Sequence, residues 1–360
     1  MERLRVGVIG CGEIAQIMHL HFLSDLKDMF EVTAVCDISR QTVNQIGSNF
    51  GVRKRFTNYR DLLSQDDVDV VAVLTFDHID IACDGAAAGK HLFIEKPLCF
   101  NLEECDRLLE ASKKHGVKVM VGYMKRYDPA YEYAQPMFSQ LEDVKLVRVH
   151  DLASGVRDGS LIPLRDIYTL YRFQDVSREE FAALRGKTRQ AMAEAIGSNE
   201  EERINAYSML LGLASHDCSI LRGAFGDPEE ILFTDIYQGG RYLISVLRYP
   251  NDVRCVWEVG GFDVKKSWWD EELAAFGSEK MIAVRFPNPY IRYAPTIVAI
   301  KELDGQAEVE KQVIASYDEA FRREWKHFYE CIVSNKEPRT TAEDAKEDIK
   351  LLADIIKAAK

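Results

Sequence analysis

The sequence has no closely paired cysteines and no long apolar run. None of its eight cysteines forms a C-x-x-C pair, and structural zinc sites and thiol redox motifs depend on such pairs. No apolar stretch approaches the roughly 20 residues that cross a bilayer. We therefore expect no metal site and no membrane partner.

The sequence also has fewer basic than acidic residues. The chain has 46 Lys and Arg against 58 Asp and Glu, a formal net charge of −12. Because nucleic acids favour a basic face, we expect none as a partner. The 360 residues, 47% of them apolar, fit an ordinary soluble protein of about two domains. An apolar strand from Leu4 leaves no room for a signal peptide, so we expect a cytoplasmic protein with reduced thiols.

Strands and helices alternate through the first third of the sequence, which indicates a parallel sheet covered by helices. The predicted strands are Leu4–Gly10, Val32–Cys36, Val68–Thr75, His91–Ile94 and Val117–Gly122. The predicted helices are Glu13–Leu26, Arg60–Leu63, Ile79–Ala88 and Leu102–His115. We assign residues 1–123 to an α/β domain of the Rossmann type.

The pattern changes after Tyr123. Apolar segments follow with few helices between them, which predicts an open, mostly antiparallel sheet. They are Lys145–His150, Glu230–Tyr237, Tyr242–Tyr249, Val253–Val259, Glu272–Phe276, Met281–Arg285 and Ile297–Ile300. Residues 124–360 are therefore predicted to form an α+β domain with a helical insertion at about 155–213. Two more helices are expected near the end, at roughly 318–334 and 341–359.

A glycine motif follows the first strand. Gly10-Cys11-Gly12-Glu13-Ile14-Ala15 has the G-x-G-x-x-A spacing of dinucleotide-binding turns. Gly10 permits the tight turn, Gly12 lets a pyrophosphate approach the backbone, and small Ala15 lets the helix pack closely on the sheet. The motif predicts a dinucleotide at the helix N-terminus; the alternative is a glycine turn of another α/β protein.

Residues that end the next strands complete the predicted cofactor site. Asp37 ends the second strand, where a carboxylate accepts hydrogen bonds from ribose hydroxyls and repels a 2′-phosphate. We therefore expect NAD rather than NADP, although Arg40 could receive a 2′-phosphate if Asp37 turned away. Thr75 and His78 follow a third strand at the same edge of the sheet. His78 either packs near the cofactor or caps the next helix.

Taken in order, these motifs resemble the Gfo/Idh/MocA oxidoreductases. Glu95-Lys96-Pro97 and the run Val121–Pro129 extend the match. The resemblance implies an N-terminal Rossmann domain and a C-terminal domain on a large open sheet. It implies NAD(P)-linked oxidation or reduction of polyhydroxylated small molecules, namely sugars, their derivatives and cyclitols. It also implies a homo-oligomer that forms through the back of the C-terminal sheet.

The resemblance further implies two catalytic side chains. Lys96 matches the lysine that contacts the substrate hydroxyl in the family, with Glu95 holding its turn and Pro97 stiffening it through a bond that can be cis. His216 is the best match for the proton-relaying histidine of a D-x-x-x-H pattern. Gly212 stands where that pattern has its aspartate, which removes a hydrogen-bonding group. The alternatives are a surface lysine at 96 and a core histidine at 216.

Arg126, Tyr127 and Asp217 are the candidate substrate contacts, with a hinge ion pair as the alternative for Arg126. We expect an NAD-dependent dehydrogenase of a sugar, glycoside or cyclitol hydroxyl. One rival is a redox-neutral enzyme with tightly bound NAD, including one that cleaves glycosides. The other is a non-catalytic NAD-binding regulator, which is compatible with the loss of the pattern's aspartate at Gly212.

Overall fold

A computed structural model describes residues 3–141, 143–154, 167–171, 175–262 and 269–360. The chain divides into two compact units. The first unit is Met1–Tyr123 with Tyr168–Ala191 and Phe321–Ile349, and the second is Met124–Ile167 with Met192–Ala320 and Lys350–Lys360. Residues 155–166 and 172–174 of the predicted insertion lie outside the described residues.

A six-stranded parallel sheet forms the centre of the first unit, in the order β3-β2-β1-β4-β5-β6. Its strands are β1 (Leu4–Ile9), β2 (Phe30–Cys36), β3 (Lys54–Phe56), β4 (Val70–Val73), β5 (His91–Glu95) and β6 (Val119–Gly122). The order reverses between β1 and β4, and ligands of such sheets bind beside the carboxyl ends of the strands at that point. The predicted Rossmann fold is confirmed.

Helices connect these strands. They are α1 (Leu20–Asp25), α2 (Arg40–Asn49), α3 (Tyr59–Leu63), α4 (Ile79–Ala87) and α5 (Leu102–His115), and a π-helical turn over Ala15–His19 leads into α1. Side chains cap three of them: Ser39 accepts the Thr42 amide at 2.9 Å, Asn58 accepts the Arg60 amide at 3.0 Å, and Asn101 accepts the Glu104 amide at 2.9 Å. Gly116 ends α5 with a φ of +66°, a left-handed conformation common at helix ends, and α5 has the bounds predicted from the sequence.

The second unit is built on an eight-stranded sheet in the order β14-β13-β12-β11-β7-β10-β9-β8. Its strands are β7 (Leu146–Ser154), β8 (Glu230–Tyr237), β9 (Tyr242–Tyr249), β10 (Val253–Phe262), β11 (Trp269–Phe276), β12 (Lys280–Phe286), β13 (Ile297–Asp304) and β14 (Ala307–Val313). Strands β7 and β10 pair in parallel, and the other neighbours pair antiparallel. Buried and half-buried residues alternate along β9, because one of its faces packs on the core. The open, mostly antiparallel sheet is confirmed.

In the described part of the chain, six further α-helices follow the first unit's strands. They are α6 (Pro129–Ser139), α7 (Arg178–Ile196), α8 (Glu201–Met209), α9 (Ser215–Phe225), α10 (Ala320–Val333) and α11 (Ala342–Lys357). A π-helical turn over Leu210–Ala214 precedes α9. Within the described ranges, no helix has both the length and the apolar character needed to span a bilayer. All eight cysteines are free thiols.

Helix α10 completes the core of the first unit. Trp325 is fully buried and stacks on Phe93 of β5 with ring centroids 4.2 Å apart. Its ring also lies edge-on to Phe30 of β2 at 5.3 Å. Each such ring pair adds about 0.5–1.5 kcal/mol beyond the burial of its area. The Rossmann core therefore depends on aromatic residues from near the end of the sequence.

Candidate active site

The glycine motif forms a tight turn at the carboxyl end of β1. Gly10 has a φ of +95°, and an ideal Cβ there would lie 2.8 Å from the carbonyl carbon and oxygen of Leu74. At Gly12, by contrast, nothing lies within 4 Å of such a Cβ. Glu13 and Ile14 are half-buried, and Ala15 is fully buried. The turn thus has a crowded inner side and an open outer side, the shape that a phosphate group needs.

Asp37 is fixed where β2 ends. One carboxylate oxygen accepts the Cys11 amide at 2.8 Å, and the other accepts the Ser39 amide at 2.9 Å. Burial raises the pKa of Asp37, while both amides favour its ionised form. Arg40 turns its guanidinium to the hydroxyl of Thr57 at 3.0 Å. Asp37 therefore joins the glycine turn to the end of β2, where the sequence predicts ribose binding.

His78 is buried just before α4. Neither ring nitrogen has a hydrogen-bond partner among the described residues, and burial lowers the pKa of His78 to about 4. The imidazole is therefore neutral at physiological pH. His78 is the N-cap residue of α4 by position, but its side chain makes no capping hydrogen bond. Thr75 donates its hydroxyl to the Asp77 carbonyl at 2.8 Å. Buried nitrogens without partners are groups that a ligand can satisfy.

Lys96 follows β5 in a turn that Glu95 holds, and its bond to Pro97 is cis. One Glu95 oxygen accepts the Lys96 amide at 3.0 Å, and the other lies 2.8 Å from His19 Nε2. Trp325 donates its indole N–H to His19 Nδ1 at 3.1 Å. Because Nδ1 accepts this hydrogen bond, the proton of the neutral imidazole is on Nε2, and the Nε2–H group donates a hydrogen bond to Glu95. A chain of buried hydrogen bonds thus fixes the backbone that carries Lys96.

His19 and Trp325 are functional candidates that the sequence reasoning missed. Both are fully buried, and the His19 ring is edge-on to Phe93 and Phe321 at 5.3 and 5.5 Å. Helical spacing places His19 beside buried residues, but it gives no sign of the groups that it contacts. Only the fold brings residue 325 to residue 19.

A segment from the middle of the sequence contacts the residues that follow β1. We call Tyr168–Ala191 the crossing segment, of which residues 172–174 are outside the described residues. The side-chain amide of Gln16 donates to the Tyr171 carbonyl at 3.0 Å and accepts the Tyr171 amide at 2.9 Å. This paired contact ties the crossing segment to the helix that begins at the glycine motif.

The crossing segment makes further contacts within the first unit. Asp175 accepts hydrogen bonds from Ser39 and Gln41 just after β2. Lys187 lies 2.7 Å from Asp80 of α4 and 3.3 Å from Asp77. Hydrogen bonds from Lys187 and Arg107 lower the pKa of Asp80, so these pairs are charged at neutral pH. The segment therefore crosses the carboxyl ends of β2, β1 and β4.

In the second unit, His216 lies in the first turn of α9 and is half-buried. Gly212 lies in the preceding π-helical turn, is exposed, and has nothing within 4 Å of an ideal Cβ. An aspartate would therefore fit at position 212. A π-helical turn is wider than an α-helical turn, so positions 212 and 216 also depart from the usual alignment of residues four apart.

Asp217 belongs to a buried polar cluster, which we define as Lys125, Asp151, Asp217 and Glu271. The carboxylate oxygens of the three acidic residues lie within 4.8 Å of one another, and the Lys125 ammonium bonds to Glu271. Burial raises the pKa of Asp217 well above its usual range, and Asp151 raises it further, while Lys125 and Trp257 oppose this effect. Three carboxylates exceed one ammonium, so the cluster retains protons. Carboxylates in such numbers also ligate metal ions, but here Lys125 supplies the positive charge.

Arg126 and Tyr127 are buried in the second unit. Arg126 donates to the Ser219 carbonyl of α9 at 3.1 Å. Gly223, one turn further along α9, makes room for the guanidinium, because an ideal Cβ there would lie 2.8 Å from Arg126 Cζ. These contacts hold the turn before α6 against α9, which favours a structural role. Substrate contact by Arg126, Tyr127 and Asp217 stays a prediction.

Residues 4–123 match the model of an oxidoreductase family with an NAD-binding Rossmann fold. That model is the one of the Gfo/Idh/MocA oxidoreductases, and the match covers a third of this chain. The chain is 32% identical over 151 residues to the inositol 2-dehydrogenase of Salmonella typhimurium, which covers 41% of this chain and 45% of that protein. The chain thus spans less than half the length of that relative. It is 26% identical over 348 residues to the myo-inositol 2-dehydrogenase of Thermotoga maritima, covering 95% of this chain and 92% of the relative.

Solved structures share the fold of this chain. A 3-ketoreductase from Actinomadura kijaniata, in complex with NADP, superposes with a TM-score of 0.74 over 100% of this chain and 98% of that chain, at 18% identity. A probable dehydrogenase from Thermotoga maritima gives a TM-score of 0.68 over 97% and 94% of the two chains, at 21% identity. At these identities the likeness extends to the fold alone.

Proposed function

We propose that the protein is an NAD-dependent dehydrogenase or reductase that acts on a secondary hydroxyl of a sugar, glycoside or cyclitol. The observation that carries the proposal is the shape of the β1 turn, crowded at Gly10 and open at Gly12, beside the fixed carboxylate of Asp37. The two relatives named as inositol dehydrogenases support the substrate class. The partner is therefore a polyhydroxylated small molecule.

The residues of the first unit fit a nicotinamide dinucleotide. The open side of Gly12 would take the pyrophosphate, Asp37 the ribose hydroxyls, and the buried nitrogens of His78 a polar group of the coenzyme. Ile38, 55% exposed next to Asp37, offers an apolar surface to the adenine. When bound, the coenzyme supplies the hydride acceptor or donor.

Lys96 is proposed to orient the reacting hydroxyl and to stabilise negative charge on its oxygen. The hydrogen bonds from Trp325 through His19 to Glu95 hold the Lys96 backbone, which supports such a role. Lys96→Ala should lower kcat by about 10²–10³-fold, the usual loss for a group of this kind, while calorimetry shows NAD binding retained. Lys114→Ala, on the exposed face of α5, is the matched control. Unchanged turnover in Lys96→Ala would dismiss the role.

His216 is proposed to move the proton of the hydroxyl. It is the one residue of the D-x-x-x-H pattern that this chain retains, since Gly212 replaces the aspartate. An imidazole titrates near neutrality and suits this task. His216→Asn should lower kcat and remove the corresponding limb of the pH–rate profile. A normal profile in the variant would reject the role.

One assay separates the proposal from its rivals. Absorbance of reduced nicotinamide is followed while the enzyme meets a panel of inositols, sugars and glycosides with NAD. Net turnover supports the dehydrogenase. Tightly bound NAD, with substrate consumed but no net absorbance change, indicates a redox-neutral enzyme, including one that cleaves glycosides. Bound NAD without any chemistry indicates a regulator, for which the loss of the aspartate at Gly212 is the motivating observation.

The cellular form is also part of the proposal. We infer a cytoplasmic homo-oligomer that assembles through the eight-stranded sheet. Edge strand β8 supports this inference, because Leu232, Phe233 and Tyr237 are 40, 44 and 38% exposed and apolar patches of this kind favour association. Sedimentation analysis should give a mass above the 41.0 kDa chain. A monomer at micromolar concentration would contradict it.

A further inference from the structure

A carboxylate of the protein occupies the start of α2. Asp175 accepts the Ser39 hydroxyl at 2.5 Å and the Gln41 backbone amide at 2.9 Å. The first turn of a helix presents unpaired amides and a positive dipole end, and it therefore attracts anions. These hydrogen bonds, that from Ser39 above all, lower the pKa of Asp175, so it is ionised at neutral pH.

The anion position that Asp175 occupies adjoins Asp37. The Ser39 amide donates to Asp37 while the Ser39 hydroxyl donates to Asp175, so one residue links the two carboxylates. A 2′-phosphate on a ribose held by Asp37 would need the same hydroxyl and helix amides. Arg40, another donor suited to such a phosphate, is bound to Thr57 at 3.0 Å. The donors suited to a 2′-phosphate are therefore engaged within the protein.

We propose that Asp175 is a coenzyme-specificity residue, which fills the place of a 2′-phosphate and repels it, so that the protein takes NAD(H) and rejects NADP(H). This inference rests on the proposed function, because it assumes an adenine dinucleotide on Asp37. Asp175 lies outside residues 4–123, which match the family model. The crossing segment holds it in place through Tyr171 on one side and Lys187 on the other.

The test measures binding and needs no substrate. NAD⁺ and NADP⁺ are titrated calorimetrically into the wild type, Asp175→Asn, Asp175→Ser and Asp28→Asn. Asp28 is an exposed residue in the turn before β2, at the amino end of the strand whose carboxyl end leads to Asp37. Its variant therefore controls for the loss of one negative charge. We expect the wild type to prefer NAD⁺. In both Asp175 variants NADP⁺ should bind at least about tenfold more tightly, as expected when one like charge leaves hydrogen-bond range, while Asp28→Asn keeps the wild-type ratio.

A second variant identifies the group that receives the phosphate. Arg40→Ala in the Asp175→Asn background should lose the gained NADP⁺ affinity, because Arg40 is then the cation available to the 2′-phosphate. A wild type that binds NADP⁺ as tightly as NAD⁺ overturns the proposal even if the variants fail to fold. An unchanged ratio in the Asp175 variants overturns it as well. If the wild type binds neither dinucleotide, the proposed function falls together with the specificity role, an outcome distinct from an unchanged ratio.

Discussion

Replacing His19 with leucine should lower the free energy of unfolding of the first unit by about 3–5 kcal/mol. The substitution leaves the buried indole N–H of Trp325 without an acceptor, at about 1–3 kcal/mol. It also removes the Nε2–H that donates to Glu95 at 2.8 Å, and hydrogen bonds to charged groups contribute about 1.5–3 kcal/mol. Leucine keeps most of the buried volume, so the loss comes from the two polar groups.

Urea unfolding followed by far-UV circular dichroism measures this loss. The matched control is His21→Leu in the same helix, where the side chain is 33% exposed and lies 3.7 Å from Asp25. An exposed pair of that kind contributes about 0–1 kcal/mol. A loss below about 1 kcal/mol for His19→Leu, or equal losses in the two variants, would refute the hydrogen-bond chain as a source of stability.

Three further predictions concern other parts of the two units. Gly10→Ala should abolish NADH binding in a fluorescence titration, because its Cβ would meet the Leu74 carbonyl at 2.8 Å and its φ of +95° is strained for alanine; wild-type affinity would contradict this. In wild type the raised pKa of Asp217 makes stability fall as pH rises from 4 to 7, since the folded state holds the proton more tightly. The Tm of Asp217→Asn minus the Tm of the wild type should therefore increase as the pH rises from 4 to 7, because asparagine does not titrate. A difference in Tm that stays constant with pH would contradict the raised pKa of Asp217. The pKa of His78 falls from 6.5 to about 4 on folding, so stability should decline as pH drops through that window, and His78→Gln should weaken the decline in pH-dependent melting curves.

Local patterns in the sequence predicted most of the first unit and much of the second sheet. Elements with a weak apolar signal were missed. Strand β14 reads AEVEKQV and is mostly exposed, so no buried alternation marks it. Helix α2 buries few apolar residues, and Pro136 inside α6 disguises a helix that Asp128 caps. Strand β7 runs to Ser154, beyond the predicted end at His150, because parallel pairing with β10 continues to Phe262.

The candidate site divides in the same way. Gly10, Asp37 and Lys96 can be identified from the sequence, because each lies in a short motif after a strand. Trp325 and Asp175 cannot be identified in this way, because their partners are far away in the sequence. Trp325 contacts His19, and Asp175 contacts Ser39. The buried cluster around Asp217 is similar: Asp151 and Glu271 meet it only through the pairing of β7 with β11. Spacing reveals chemistry within one turn of the chain, whereas tertiary partners require the fold.

The dependence of the first unit on late residues has a consequence for biosynthesis. Trp325 fills the space between Phe93 and Phe30, and Thr340 pairs with β6 through its carbonyl and its hydroxyl, at 2.9 and 2.7 Å from Val121. A nascent chain that has emerged only as far as residue 123 exposes both surfaces. The first unit therefore finishes folding only once Trp325 and Thr340 have been synthesised, and a polypeptide of residues 1–123 made alone should aggregate.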